Sequence, residues 1–169
     1  LSDSTRAESP GYTPSERTVG EAFRGIMEGL DGRVIVATFA SNIARVQQVF
    51  DAAATFNRKV AVIGRSMEQN VRISTELGYL KYPVEQLVQK DRIKDIPNSQ
   101  LVIATTGAQG EPMAGLARMA NRDHRWVEIT PGDTVIVSAS PIPGNEETVG
   151  RTIDNLFKVG ANVYYHDIK

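Results

Sequence analysis

The chain contains no cysteine. That excludes a disulfide framework and a thiolate zinc site, and it suits a reducing compartment such as the cytoplasm. Histidine is almost as scarce. His124 and His166 lie far apart with no spacing that suggests further ligands, so no metal site is expected of them. No apolar run approaches the ~20 residues that cross a bilayer, and no membrane partner is expected. The opening residues, Leu1-Ser2-Asp3-Ser4-Thr5-Arg6, match neither a signal peptide nor a transit peptide. Net charge is only -1, so nucleic-acid binding would have to come from local groups and not from a bulk basic field. Two phosphate-binding fingerprints are missing as well: no G-x-G-x-x-G follows the first strand-like run, and no G-x-x-x-x-G-K-[ST] appears. No residue set offers a nucleophile with its base.

What is present fits one globular domain of ordinary size. There are 169 residues, 41% hydrophobic and 23% charged, without repeat, low-complexity tract or interdomain linker. Five apolar runs stand out, at 33–39, 59–63, 101–104, 134–137 and 162–165. The first four each end in a small polar step, and a helical pattern begins at or just after it. The steps are Ala40-Ser41-Asn42, Gly64-Arg65-Ser66, Thr105 through Pro112, and Ser138 through Asn145. Such alternation predicts an α/β fold: a mostly parallel sheet of about five strands, helices on both faces, right-handed crossovers. In that fold the polar steps share one sheet edge, at the carboxyl ends of the strands, where α/β proteins bind ligands. Helix N-termini there point unpaired N–H groups into the crevice, which favours an anion such as phosphate.

The helices are read from caps and spacing. Thr13-Pro14-Ser15-Glu16 reads as a capping box, followed by an apolar face of Val19, Ala22, Phe23, Ile26, Met27 and Leu30, with Asp31-Gly32 as the stop. Ser41 is the expected cap of a helix facing inward through Ile43, Val46, Phe50 and Ala53. Ser66-Met67-Glu68-Gln69 reads as a second capping box, closed by Leu77-Gly78. Pro83 through Val88 predicts a short helix, and Ile93 and Ile96 dock a connecting segment. A helix from Pro112 turns Met113, Leu116 and Ala120 inward. The last helix, 146–159, turns Val149, Ile153, Leu156 and Phe157 inward and ends at Gly160.

Individual residues admit two readings. Gly107-Ala108-Gln109-Gly110 imitates a phosphate turn and serves equally as plain turn chemistry. Capping alone explains Ser41, Asn42 and Ser66. The step from Ser138 through Ser140 to Asn145 holds two prolines and a glycine, more stiffness than a cap requires. Arg65 is either a phosphate ligand or half of a surface ion pair. His124, in a charged stretch, is read as solvated, and the mixed charges of Lys90 through Asp95 as a solvated face.

Taken in order, Leu1-Ser2-Asp3-Ser4-Thr5, Pro10-Gly11-Tyr12-Thr13-Pro14-Ser15-Glu16, Ala37-Thr38-Phe39-Ala40-Ser41-Asn42, Gly64-Arg65-Ser66-Met67, Thr106-Gly107-Ala108-Gln109-Gly110-Glu111-Pro112 and Ser140-Pro141-Ile142-Pro143-Gly144-Asn145-Glu146 resemble the β-CASP domain of bacterial ribonuclease J. Each segment is modest alone; the ordered set is specific and covers nearly the whole chain. The resemblance implies a domain set into a metallo-β-lactamase domain that holds two zinc ions, so 1–169 reads as a β-CASP domain excised from a longer ribonuclease, and the abrupt ends agree. It implies that Asp3 matches motif A and orients a histidine absent from this chain, and that the zinc motif H-x-H-x-D-H lies elsewhere. It further implies an RNA-facing set of Ser41, Asn42, Arg65, Ser66, Gly107, Gln109, Gly110, Glu111, Ser138 and Ser140. Ala108 stands where that family often has Ser, so a hydroxyl contact there is not carried over. The expectation is therefore an RNA-binding lid domain of a cytoplasmic, zinc-dependent RNA hydrolase. It binds no cofactor itself, is inactive alone, and has RNA and the metallo-β-lactamase domain as partners; a homo-oligomeric parent is left open. The competing readings are a free-standing α/β module for a nucleotide or sugar phosphate, and a dimerisation or scaffold domain.

Overall fold

The computed structural model describes residues 10–11 and 15–165. Asp3 with the rest of the Leu1-Ser2-Asp3-Ser4-Thr5 segment, Thr13 and His166 lie outside the described residues.

Among the described residues six parallel strands form one sheet: β1 (Val34–Ala37), β2 (Lys59–Ile63), β3 (Leu87–Val88), β4 (Leu101–Thr105), β5 (Thr134–Val137) and β6 (Asn162–Tyr165). Their order is β3-β2-β4-β1-β5-β6. The strands are apolar almost throughout because both faces are covered, and alternate residues divide between two cores. Val34, Val36, Val60, Val62, Val102 and Ala104 join one core with α1 (Glu16–Met27), α2 (Ile43–Thr55) and α3 (Arg65–Glu76). Ile35, Ala37, Ala61, Ile63, Leu101 and Ile103 join the other, beneath α4 (Gly115–Ala120) and α5 (Glu146–Lys158). The α/β sheet with helices on both faces is the one the sequence predicts.

Several local expectations change. A sixth strand is added where a short helix was expected: Val84–Gln86 makes one 3-10 turn, and Leu87 and Val88 then pair with Val60 and Ala61. Buried Gln86 fixes that turn by donating from Nε2 to the Phe50 carbonyl at 2.7 Å. The first helix starts at Glu16 with Ser15 as its cap and stops at Met27, and Ala22 faces solvent. Asn42, not Ser41, caps α2, its Oδ1 accepting the Arg45 N–H at 3.0 Å. Gly64, not Ser66, is the cap residue of α3, leaving Ser66 inside the first turn with no side-chain cap bond. The fourth helix begins at Gly115 and not at Pro112, which leaves Met113 84% exposed. Phe157 is 51% exposed because α5 packs chiefly through Val149, Ile153 and Leu156.

Arg33 supplies the least expected core feature. The run at 33–39 narrows to a four-residue strand, and Arg33 at its mouth is buried against Asp133. The guanidinium donates from Nε to Oδ1 at 3.2 Å and from Nη2 to Oδ2, and Nη2 also donates to the Glu128 carbonyl at 2.6 Å. Asp133 in turn accepts the Thr130 N–H at 2.8 Å. This network closes the amino edge of the sheet, opposite the polar steps. Removing one partner strands a buried charge, so Asp133→Asn should cost about 3–5 kcal/mol of folding stability in urea unfolding. A loss below about 1 kcal/mol would show that the pair contributes no more than a surface salt bridge.

Candidate nucleic-acid interface

The strand order decides where a site can form. β4 enters the sheet between β1 and β2. The chain leaves β1 and β2 toward the α2 and α3 face, but leaves β4 toward the α4 face. Where neighbouring strands send their exits to opposite faces, a crevice opens at the carboxyl edge. A cleft of about 680 Å³ occupies that place, lined by Thr38, Phe39 and Ala40 after β1, Gly64, Arg65 and Ser66 after β2, and Thr106 to Ala108 with Glu111 after β4. Arg118 and His124 close its far wall.

Each wall is held by identifiable contacts. Asn70 of α3 donates to the Ala40 carbonyl at 2.9 Å, binding the first loop to the second. Gln109 is 3% exposed, and its carboxamide joins the third loop to the fourth: Nε2 donates to the Ser140 carbonyl at 2.9 Å, and Oε1 accepts the Ile142 N–H at 2.7 Å. Gly110 has φ +71°, and a Cβ there would overlap the Thr148 carbonyl of α5, so the turn requires glycine. The fourth loop is fixed from the other side by Arg45, whose Nη1 donates to the Ser138 carbonyl and hydroxyl, both at 2.8 Å, while Glu16 takes the remaining guanidinium edge.

The sequence-expected residues therefore divide. Arg65, Ser66, Gly107 and Glu111 line the cleft together. Ser41, Asn42, Ser138 and Ser140 lie on the same sheet edge but outside this cleft: Asn42 caps α2, Ser138 is bound by Arg45, and the Ser140 carbonyl accepts from Gln109. Gln109 and Gly110 are buried as the frame of the third loop. No ion pair among the described residues involves Arg65, so its guanidinium is open to the cleft. At the start of α3 the first ladder bond runs from the Glu68 N–H to the Gly64 carbonyl, which leaves the N–H groups of Arg65, Ser66 and Met67 outside the ladder. Arg65 and Ser66 are themselves cleft residues, and the helix dipole adds to the positive potential.

Arg118 and His124 escape a sequence reading. Arg118 lies far along the chain from Arg65, and nothing in its helical pattern marks it. His124 is not solvated as expected: it is half-buried, and its Nδ1 accepts the N–H groups of Trp126 and Val127, both at 3.3 Å. With Nδ1 an acceptor, the neutral ring carries its proton on Nε2. Burial, and then the nearby Arg118, push its pKa below the ordinary imidazole value of 6.5, against the opposing pull of Asp123. No group of three or more His, Asp or Glu side chains among the described residues converges to hold a metal ion, so the donor set for zinc is not found in them. No helix among them is long and apolar enough to cross a membrane.

Fold and cleft together define an α/β domain with an arginine-lined cleft at the carboxyl edge of a parallel sheet. Residues 31–156 match the family described as ribonuclease J, beta-CASP domain, and the chain belongs to that family. Among curated relatives it is 49% identical over 163 residues to a ribonuclease J of Mycolicibacterium smegmatis, covering 96% of this chain and 29% of that protein. It is 48% identical to ribonuclease J 1 of Streptococcus pyogenes, covering 98% of this chain and 30% of the relative. A Thermus thermophilus ribonuclease J is 49% identical over 165 residues, again with 29% of its length covered. The chain thus spans under a third of the curated relatives it matches, and those relatives contain further chain beyond it.

The imidazole of His124 gives a pH signature. A depressed folded pKa means that the unfolded chain binds the proton more readily, so stability is full above about pH 6.5 and is lost as pH falls toward the folded value. His124→Asn keeps an acceptor for the two N–H groups but cannot titrate. From about pH 7 to about pH 5, the unfolding free energy of the wild type should fall relative to the variant. Parallel profiles for the two proteins would contradict this.

Proposed function

We propose that this chain is the RNA-positioning domain of a ribonuclease J-like, zinc-dependent RNA hydrolase, and that it is not catalytic alone. The observation that carries the reading is the charge of the cleft. In a chain of net charge -1, the cleft joins the side chains of Arg65 and Arg118 with the start of α3, against a single carboxylate among the described residues, Glu111. That segregation suits a phosphodiester strand, and contacts of this kind position the strand without reading its bases. Gly107 and the α3 N–H groups hold phosphate oxygens; Arg65 and Arg118 neutralise charge; Gln109, Gly110, Ser138 and Ser140 keep the loops in place.

The remaining parts belong to the proposed parent. Residues 1–169 are its β-CASP domain, and a metallo-β-lactamase domain in the same polypeptide supplies the zinc ligands. Asp3, as motif A, holds a histidine of that other domain in its charged form. The parent works in the cytoplasm on RNA processing and decay.

The test is titration of the isolated chain with short 5′-phosphorylated RNA and, separately, mononucleotides at several salt concentrations. RNA should bind weakly and with a marked salt slope. Arg65→Ala should weaken it by about 1.5–3 kcal/mol, the worth of a hydrogen bond to a charged group. It should also reduce the salt slope by roughly 0.7, the increment for one phosphate contact on a single strand. Because Arg65 is exposed, its loss should leave thermal unfolding unchanged. Saturation by mononucleotides with no gain from RNA would favour a free-standing nucleotide-binding module instead.

A further inference from the structure

A second basin adjoins the cleft and shares Gly64, Arg65, Arg118 and His124 with it. It measures about 430 Å³ and continues past them to Lys90, Arg125 and Trp126. Among the described residues, four cations, Arg65, Lys90, Arg118 and Arg125, line it with one carboxylate, Glu68; Arg118 is also paired at 3.7 Å with Asp123, an exposed carboxylate outside the lining. Glu68 is paired with Lys90 at 2.9 Å, but both side chains are substantially exposed, and such a pair is readily re-partnered by a stronger anion. The Arg125 guanidinium lies 4.6 Å from the centre of the Trp126 ring, so a cation and an aromatic plane stand together in the wall.

This wall is built to keep its shape. His124 Nδ1 holds the N–H groups of Trp126 and Val127, and Arg118 Nη2 donates to the Asp123 carbonyl at 2.7 Å. Trp126 also rests on the core cluster under α4. The charges and the ring are therefore presented on a fixed loop.

We propose that the basin continues the strand-binding track: it takes the next nucleotide of a single-stranded RNA, with its phosphate among Lys90, Arg118 and Arg125 and its base against the Arg125–Trp126 pair. The inference rests on the RNA-positioning role of the cleft. An acidic peptide would match the cations but has no use for the aromatic plane, whereas each base of a single strand offers a face to stack. Continuity through Arg65, Arg118 and His124 lets one strand pass from cleft to basin without leaving protein.

Trp126 is the chain's single tryptophan, so indole fluorescence reports on this basin alone. The experiment titrates the 169-residue chain with a 5′-phosphorylated dinucleotide and with a single strand of about ten nucleotides. The long strand should quench Trp126 and bind roughly fivefold or more tighter than the dinucleotide, the gain expected from one stacked base. Lys90→Ala/Arg125→Ala, changing two exposed heads, should abolish that gain and the quench while leaving dinucleotide affinity unchanged. Equal affinities for both RNAs with no quench would overturn the basin proposal and leave the cleft reading standing. Failure of both RNAs to bind would overturn the cleft reading and the basin with it. An oligoglutamate that binds the basin as tightly as the long strand would reassign it to an acidic peptide.

Discussion

The structure depends on one strand being in the middle. β4 is laid down after β1, β2 and β3, yet it pairs with both β1 and β2, register Val34 to Val102 on one side and Val60 to Val102 on the other. All five of its residues are buried. A strand in that position must be apolar on both faces, and Leu-Val-Ile-Ala is, with the one hydroxyl, Thr105, buried at the exit. Its exit must then turn away from the exits of its two neighbours, because helices α2 and α3 already cover the opposite face. The crevice at the carboxyl edge follows from that steric fact, before any particular polar residue is considered.

Close packing around the β4 exit then converts a crevice into a shaped site. Gly115 opens α4 directly over the end of β4, where a Cβ would overlap the Thr105 hydroxyl. The buried Gln109 carboxamide joins the loops that follow β4 and β5, and Arg45 ties the second of these to α2 and, through Glu16, to α1. These polar groups are satisfied by protein partners, so they hold the loops in one arrangement. The groups left over at the cleft, Arg65 and the first N–H groups of α3, have no partner among the described residues. A division of this kind, with satisfied polar groups framing unsatisfied ones, is how a rigid scaffold presents a binding edge.

Much of this was legible in the sequence, and the reason is periodicity. Strands covered on both faces declare themselves as β-branched runs, and four of the five expected runs coincide with strands to within one residue. The first run was longer than its strand because Arg33 and Thr38 are also buried, one by an ion pair and the other at the strand exit. The two-residue strand β3 was not legible: Leu87-Val88 is too short to show alternation and becomes a strand only because β2 has a free edge. Helix caps differ by one residue at Asn42, next to Ser41, and by two at Gly64, where Arg65 separates it from Ser66; in both places more than one small residue can cap and the loop decides between them. Phe157 faces solvent because helical spacing alone does not say how wide the covered stripe is, and Met113 because α4 starts after it, at Gly115. In the site, Arg65 and the loop glycines were visible because they sit at the polar steps. Arg118, His124 and Trp126 were not, because only the tertiary fold brings the end of α4 and the loop after it against the start of α3.

The central claim is that the carboxyl edge of the sheet is where this domain meets RNA. Amide chemical-shift mapping of the isolated chain with short single-stranded RNA tests it most directly. The account predicts perturbations concentrated at Arg65, Ser66, Thr106, Gly107, Arg118 and His124, with the Arg33–Asp133 end of the sheet silent. Perturbations centred on the amino edge, or on the groove that Val19, Ala22 and Ile26 of α1 form with Val163 and Tyr165 of β6, would contradict it.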